Sequence, residues 1–101
     1  MSRRRIVRPQ AKYELAAASD WYDKHDKRLG DELLREFEAA VERILENPLQ
    51  YQRIGRRVRR VGLGKFPYGL LYTASDREIV VASVFHGRQN PKRWQRRENE
   101  N

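Results

Sequence analysis

A chain of 101 residues suits one domain with one core, and the sequence reads as a single domain over 1–101. It has no cysteine, which excludes disulfides and thiolate metal sites, and its longest apolar runs are far too short to cross a bilayer. A formal net charge of +8 points to polyanions or acidic proteins as partners, and no membrane partner is expected.

Arg3–Arg8 reads as a short opening strand with Ile6 and Val7 as its apolar content. The arginines at the start are not followed by the apolar run of a signal peptide, so a cytoplasmic location is the expectation. Pro9 ends the strand and suits the first position of a helix, where its missing N–H costs nothing. Ala11, Leu15, Ala18 and Tyr22 then recur at helical spacing, with Trp21 beside them. Lys24–Arg28 is a charged break. A stronger helical pattern follows in Leu29, Leu33, Phe37, Ala40, Val41, Ile44 and Leu45, and Asn47-Pro48 closes it because the residue before proline avoids helical ψ. Two helices joined so briefly should pack as an antiparallel hairpin.

From Val58 the pattern changes to strands. Val58–Leu63 alternates imperfectly, since Val58 and Val61 are three apart, and a bulge or an irregular edge strand would account for it. Phe66–Thr73 is a second strand, followed by a polar turn at Ser75-Asp76-Arg77. Glu78–His86 is apolar on both faces and should be a central strand covered on both sides. Gly87 ends it, and Pro91–Arg97 fits a short terminal helix anchored by Trp94. Helices gathered ahead of a run of strands define an α+β class, order β-α-α-β-β-β, with the helical hairpin on a small twisted antiparallel sheet.

The charge is uneven along the chain. Residues 1–8 carry four arginines and no acid, residues 9–52 hold six basic and ten acidic side chains, and residues 53–97 hold twelve basic and two acidic. The second half therefore carries a stronger positive field than the total suggests. The acids of the helices sit at ordinary surface spacing, and no HExxH, CxxC or glycine-rich phosphate loop occurs, so no metal and no cofactor is expected. Val84-Phe85-His86-Gly87-Arg88 places an imidazole and a guanidinium at one strand end. Histidine exchanges protons near neutral pH and arginine grips phosphate in two-point contact, so Arg60, Lys65, His86 and Arg88 could cradle and help cleave an RNA backbone. The plainer alternative is that His86 caps the strand and Arg88 belongs to a basic surface. Tyr51 and Trp94 are the aromatic residues best suited to stacking a base.

Asn47-Pro48, Val58-Arg59-Arg60, Phe66-Pro67-Tyr68, Val84-Phe85-His86-Gly87-Arg88 and Pro91-Lys92-Arg93-Trp94 occur in an order that resembles the RelE/ParE toxin superfamily. Trp21-Tyr22 and Leu29-Gly30 add to the likeness, which extends from about Val7 to Arg97. The resemblance implies the toxin of a type II toxin–antitoxin pair, neutralised by a cognate acidic antitoxin and able to form a hetero-oligomer with it. It implies one of two targets: DNA gyrase, blocked by binding, as in the ParE branch, or the ribosome, where RelE-like members cut messenger RNA. The arginine of the nucleases would fall at Gly69, and their C-terminal tyrosine near Trp94, which lacks a hydroxyl. These departures, with the FPY, HGR and PxxW segments, lean to the ParE branch and a non-enzymatic inhibitor. Candidate catalytic residues, if it is a nuclease, are Arg60, His86 and Arg88. Candidate target or anion contacts are Arg57, Arg59, Arg60, Lys65, Arg88 and Arg93, and candidate antitoxin contacts are Trp21, Tyr22, Leu33 and Phe37, with burial inside the chain as the alternative, favoured for Leu33 and Phe37. A third reading is a basic binding domain without toxicity.

Overall fold

The computed structural model describes residues 3–88. Strand β1 (Arg4–Val7) leads into helix α1 (Pro9–Asp23) and helix α2 (Lys27–Glu46), followed by strands β2 (Arg59–Gly62), β3 (Tyr68–Ala74) and β4 (Glu78–His86). One four-stranded sheet results, in the order β1-β4-β3-β2, with the helical hairpin on one face. The sheet is mixed rather than wholly antiparallel: β2-β3-β4 is an antiparallel meander, but β1 runs parallel to β4. Parallel neighbours need a long crossover, and everything from α1 to β3 supplies one here. The expected terminal helix at Pro91–Arg97 lies outside the described residues.

Local chemistry sets the element ends. Pro9 occupies the first turn of α1 after an extended Arg8. Asp26 caps α2, its side chain accepting the Arg28 N–H at 3.0 Å, so the helix starts inside the charged break and the connection shrinks to Lys24–Asp26. Asn47 ends α2 before Pro48, and the Tyr72 hydroxyl donates to the buried Pro48 carbonyl, tying β3 to the end of that helix.

The main core lies between hairpin and sheet. Leu33, Phe37, Ala40, Val41 and Ile44 of α2 and Ala11 and Ala18 of α1 meet Val61, Leu70, Tyr72, Ile79, Val81 and Val84. On the opposite face, Val58, Leu71 and Phe85 form a second, smaller cluster under Ile54. Val58 and Val61 thus belong to different faces, which explains their odd spacing. The bulge lies elsewhere, in β4: Leu71 pairs with Ser83 and Tyr72 with Val81, leaving Ala82 without an opposite number.

Beyond Val7, β1 no longer covers the edge of β4. The Glu14 carboxylate fills that place, accepting the Ser83 hydroxyl at 2.6 Å and the Val84 N–H at 3.1 Å. The two helices pack tightly at Gly30, whose carbonyl accepts the buried Ser19 hydroxyl at 3.3 Å. A Cβ on Gly30 would stand 2.8 Å from the Ser19 carbonyl oxygen, a backbone atom that cannot swing aside. Gly30→Ala is therefore expected to destabilise the domain by about 1–3 kcal/mol in urea unfolding, although alanine is the better helix former by about 1 kcal/mol.

Candidate functional site

The hairpin covers only one face of the sheet. On the other, the small cluster shields the end of β4 near Phe85, but Val80 and Ala82 remain half-exposed, so the expected cover over both faces of β4 is incomplete. Here the segment between α2 and β2 folds back on itself. Arg59 bridges to Arg53, Ile54 N–H donates to the Val58 carbonyl at 2.8 Å, and Arg60 N–H donates to the Gln52 carbonyl at 3.0 Å. The Arg59 guanidinium pins the same segment by donating to the carbonyls of Tyr51 at 2.6 Å and Leu49 at 3.2 Å. A groove of about 550 Å³ opens between this segment and the end of β1, with Thr73, Val80 and Ala82 from the sheet and Arg8, Arg53, Arg56 and Arg57 around it. Among the described residues Glu78 is the sole acid lining the groove, and its carboxylate pairs with Arg4 at 2.9 Å.

The cations anticipated as one anion-binding surface are thereby divided. Arg57 lines the groove; Arg59 holds its wall together. Arg60 is exposed and lies over the Phe85 ring, 5.2 Å from its centroid. Lys65 stands on the helical side, paired with Glu32, which holds the Glu32 carboxyl below its ordinary range. Arg88 follows β4, its N–H donating to His86 Nδ1 at 3.0 Å. Arg93 and Trp94 lie outside the described residues. Arg8, Arg53 and Arg56 join the groove without having been singled out; the cluster of arginines from Arg53 to Arg60 was the available signal, whereas nothing near Arg8 pointed to it.

Arg60 and His86 do not meet. Arg60 pairs across the sheet with Leu71, on the face away from the helices, and stacks on Phe85 of that same face. His86 pairs with Tyr68 on the helical face, their ring centroids 5.1 Å apart, and Tyr68 in turn packs against Tyr22 of α1. The His86 nitrogen that accepts the Arg88 N–H must carry the lone pair, which leaves the proton of a neutral ring on Nε2. Gly69 has its own explanation: a Cβ there would lie 3.3 Å from the Phe85 ring and 3.2 Å from the Val61 carbonyl oxygen, so the aromatic ring fills the space that a longer side chain would need. Among the described residues no group of three or more histidines, aspartates or glutamates converges.

The four side chains anticipated as antitoxin contacts also separate. Leu33 and Phe37, at 0% and 3% relative exposure, are core residues with no area left for a partner, because the helical stripe that bears them packs on the sheet. Trp21 is 54% exposed, with His25 stacked on it at 4.5 Å, and half-buried Tyr22 turns its edge to Phe66 at 5.0 Å. Tyr51 is half-buried against the main core. The acidic helical face is partly neutralised from β1, where Arg5 forms a two-point contact with Glu38 at 2.7 and 3.0 Å. That contact holds the Glu38 carboxyl below its ordinary range.

Comparison with known proteins agrees with this architecture. The solved structure of the chromosomal ParDE TA system from P. aeruginosa superposes with a TM-score of 0.73 at 15% identity, covering 83% of this chain and 95% of that one. No curated protein matches the sequence significantly. Residues 6–91 match the family model described as the ParE toxin of the type II toxin–antitoxin system parDE. The chain belongs to the ParE toxin family of type II toxin–antitoxin systems.

Proposed function

We propose that this protein arrests growth by binding DNA gyrase without cleaving RNA, in the cytoplasm, and that a cognate acidic antitoxin neutralises it. The observation that carries this reading is the separation of Arg60 and His86 onto opposite faces of the sheet. A nuclease that used Arg60 with His86 would need that cation and that proton carrier within reach of one scissile bond, and these two are directed away from each other, which leaves Arg88 as the catalytic-candidate cation beside His86. A binding toxin needs only a complementary surface. The arginine-lined groove and exposed Arg60 provide a positive one, and charge of this kind speeds encounter with an acidic protein. The ParDE likeness supports the antitoxin as partner. Among the described residues no helix is long and apolar enough to cross a membrane.

The test is a supercoiling assay with purified gyrase and the full chain. Supercoiling should fall with increasing toxin and recover when antitoxin is added. Unaffected gyrase at saturating toxin, together with new cuts in translated messages by primer extension, would replace this reading with ribosome-dependent messenger RNA cleavage.

A further inference from the structure

The exposed sides of the two helices differ. On α2 the exposed positions are charged throughout except for Leu34 and Ala39. On α1, Ala11 and Ala18 turn inward to the core, and the opposite side carries Tyr13, Ala16, Ala17, Asp20 and Trp21, all exposed. Tyr13 is 72% and Trp21 54% exposed, so two large rings stand in solvent on one helix face with alanines between them. A solvated helix face is normally polar, and this one fits contact with another molecule. Charge selects that molecule. The chain carries +8, and two copies repel each other over most of their surfaces, but α1 holds one lysine, Lys12, against the acids Glu14, Asp20 and Asp23. A second copy therefore meets least repulsion along this helix. The stripe is also complementary to itself. Tyr13 and Asp20 lie equally far from the midpoint of Ala16 and Ala17, so a two-fold axis there runs the helices antiparallel and sets each Tyr13 level with Asp20 of the second copy. Lys12 and Trp21 are the next positions outward, on the two flanks of the stripe. Each Asp20 carboxylate then meets a Lys12 ammonium and a Tyr13 hydroxyl, and each Trp21 ring meets a Tyr13 ring. The alanines at the axis let the two backbones approach closely.

From these observations we infer that this face of α1 joins two copies of the chain into an antiparallel, two-fold symmetric dimer. A single pair of four-turn helices buries less than the ~1,200 Å² at which standard stable interfaces begin, so the dimer is weak and reversible. The contact assigns Trp21 to a second copy of the chain. It leaves the sheet face that the hairpin does not cover open in both copies, so the pair presents the arginine-lined groove twice. A target with two sites would then be held with avidity that one copy lacks. The inference holds whichever target the toxin has.

Sedimentation velocity on the full chain without antitoxin, over about a hundredfold range reaching hundreds of micromolar, tests this directly. The sedimentation coefficient should rise with concentration from monomer toward dimer. Ala17→Glu, which places two carboxylates at the axis, should weaken association by about tenfold or more, whereas Ala39→Glu, the same change at an exposed position of α2, should stay within about threefold. Circular dichroism establishes that each variant is folded before it is sedimented. Because the chain has no cysteine, Ala17→Cys supplies a lone thiol that faces its own copy across the axis, and mild oxidation should link the pair covalently, while Ala39→Cys should stay single. A monomer at every concentration, or an association that Ala17→Glu and Ala39→Glu weaken alike, would overturn the inference. A monomer whose binding to antitoxin is lost in Ala17→Glu would assign this face to the antitoxin, with the same consequence. Neither experiment contains gyrase, so the supercoiling result stands or falls separately.

Discussion

Phe37→Ala is expected to lower the stability of the domain by about 3–5 kcal/mol, the cost of emptying a buried aromatic site that its neighbours cannot refill. Phe37 is 3% exposed on the inner stripe of α2 and belongs to the main core with Leu70, Tyr72 and Val81. Small domains have about 5–15 kcal/mol in total, so a large part of the molecules would be lost to unfolding, proteolysis or aggregation in a cell. In urea the midpoint should fall with little change in slope. Trp21→Ala is the matched comparison. Its side chain is larger but 54% exposed, and its loss should change stability by no more than about 0.5–1 kcal/mol. The contrast governs any reading of growth assays. Lost toxicity in Phe37→Ala reports a failed fold, whereas a phenotype in Trp21→Ala reports a surface contact. Equal stability losses in the two variants would mean that the inner face of α2 is not the core described here.

Much of the fold was legible because local chemistry and global packing agree. Pro9 starts α1, the turn at Ser75–Arg77 separates β3 from β4, and β4 has the bounds its apolar run implies. The parallel placement of β1 was not legible, since a strand of four residues with three exposed side chains carries no mark of its neighbour's direction. The candidate site was less legible still, and one residue accounts for much of that. Strict alternation from Ile79 would direct Phe85 toward the helices and His86 to the opposite face, beside Arg60. The extra residue at Ala82 inverts the alternation, so that Val84 joins the main core and Phe85 the opposite cluster, and His86 moves to the helical face with them. With Val84 and Phe85 both apolar, the sequence does not mark where the inversion falls. Arg59 was obscured for another reason. An arginine that donates to two carbonyls of its own loop has the same appearance in sequence as one awaiting a phosphate.

The second large effect should appear in alkali, at Tyr72. Its ring is fully buried and its hydroxyl donates to the Pro48 carbonyl. Burial, which disfavours the phenolate, pushes this hydroxyl up to about 12, and neighbouring Tyr51 acts in the same direction, while nearby Arg59 opposes both. An exposed tyrosine in the unfolded chain ionises near pH ~10. Between roughly pH 10 and 12 the unfolded chain therefore binds fewer protons at this site than the folded one, and stability must fall as pH rises. The stabilisation is complete below about pH 10 and gone above about pH 12; at ~1.4 kcal/mol per unit of displacement it amounts to about 2–3 kcal/mol. Tyr68 is also raised, mainly by burial, and adds to the same trend, so the wild-type curve alone cannot isolate Tyr72. Tyr72→Phe does. At neutral pH the variant should be less stable by about 1 kcal/mol, having lost the hydrogen bond to Pro48. As pH rises through roughly 10 to 12 the wild type should descend more steeply, so the two curves converge and then cross. Lysine and arginine titrations and the breaking of surface ion pairs affect both proteins alike and cancel in the difference. Urea midpoints measured in steps of half a pH unit resolve the crossing, and curves that stay parallel throughout would mean that the Tyr72 hydroxyl ionises as readily in the folded chain as in the unfolded one.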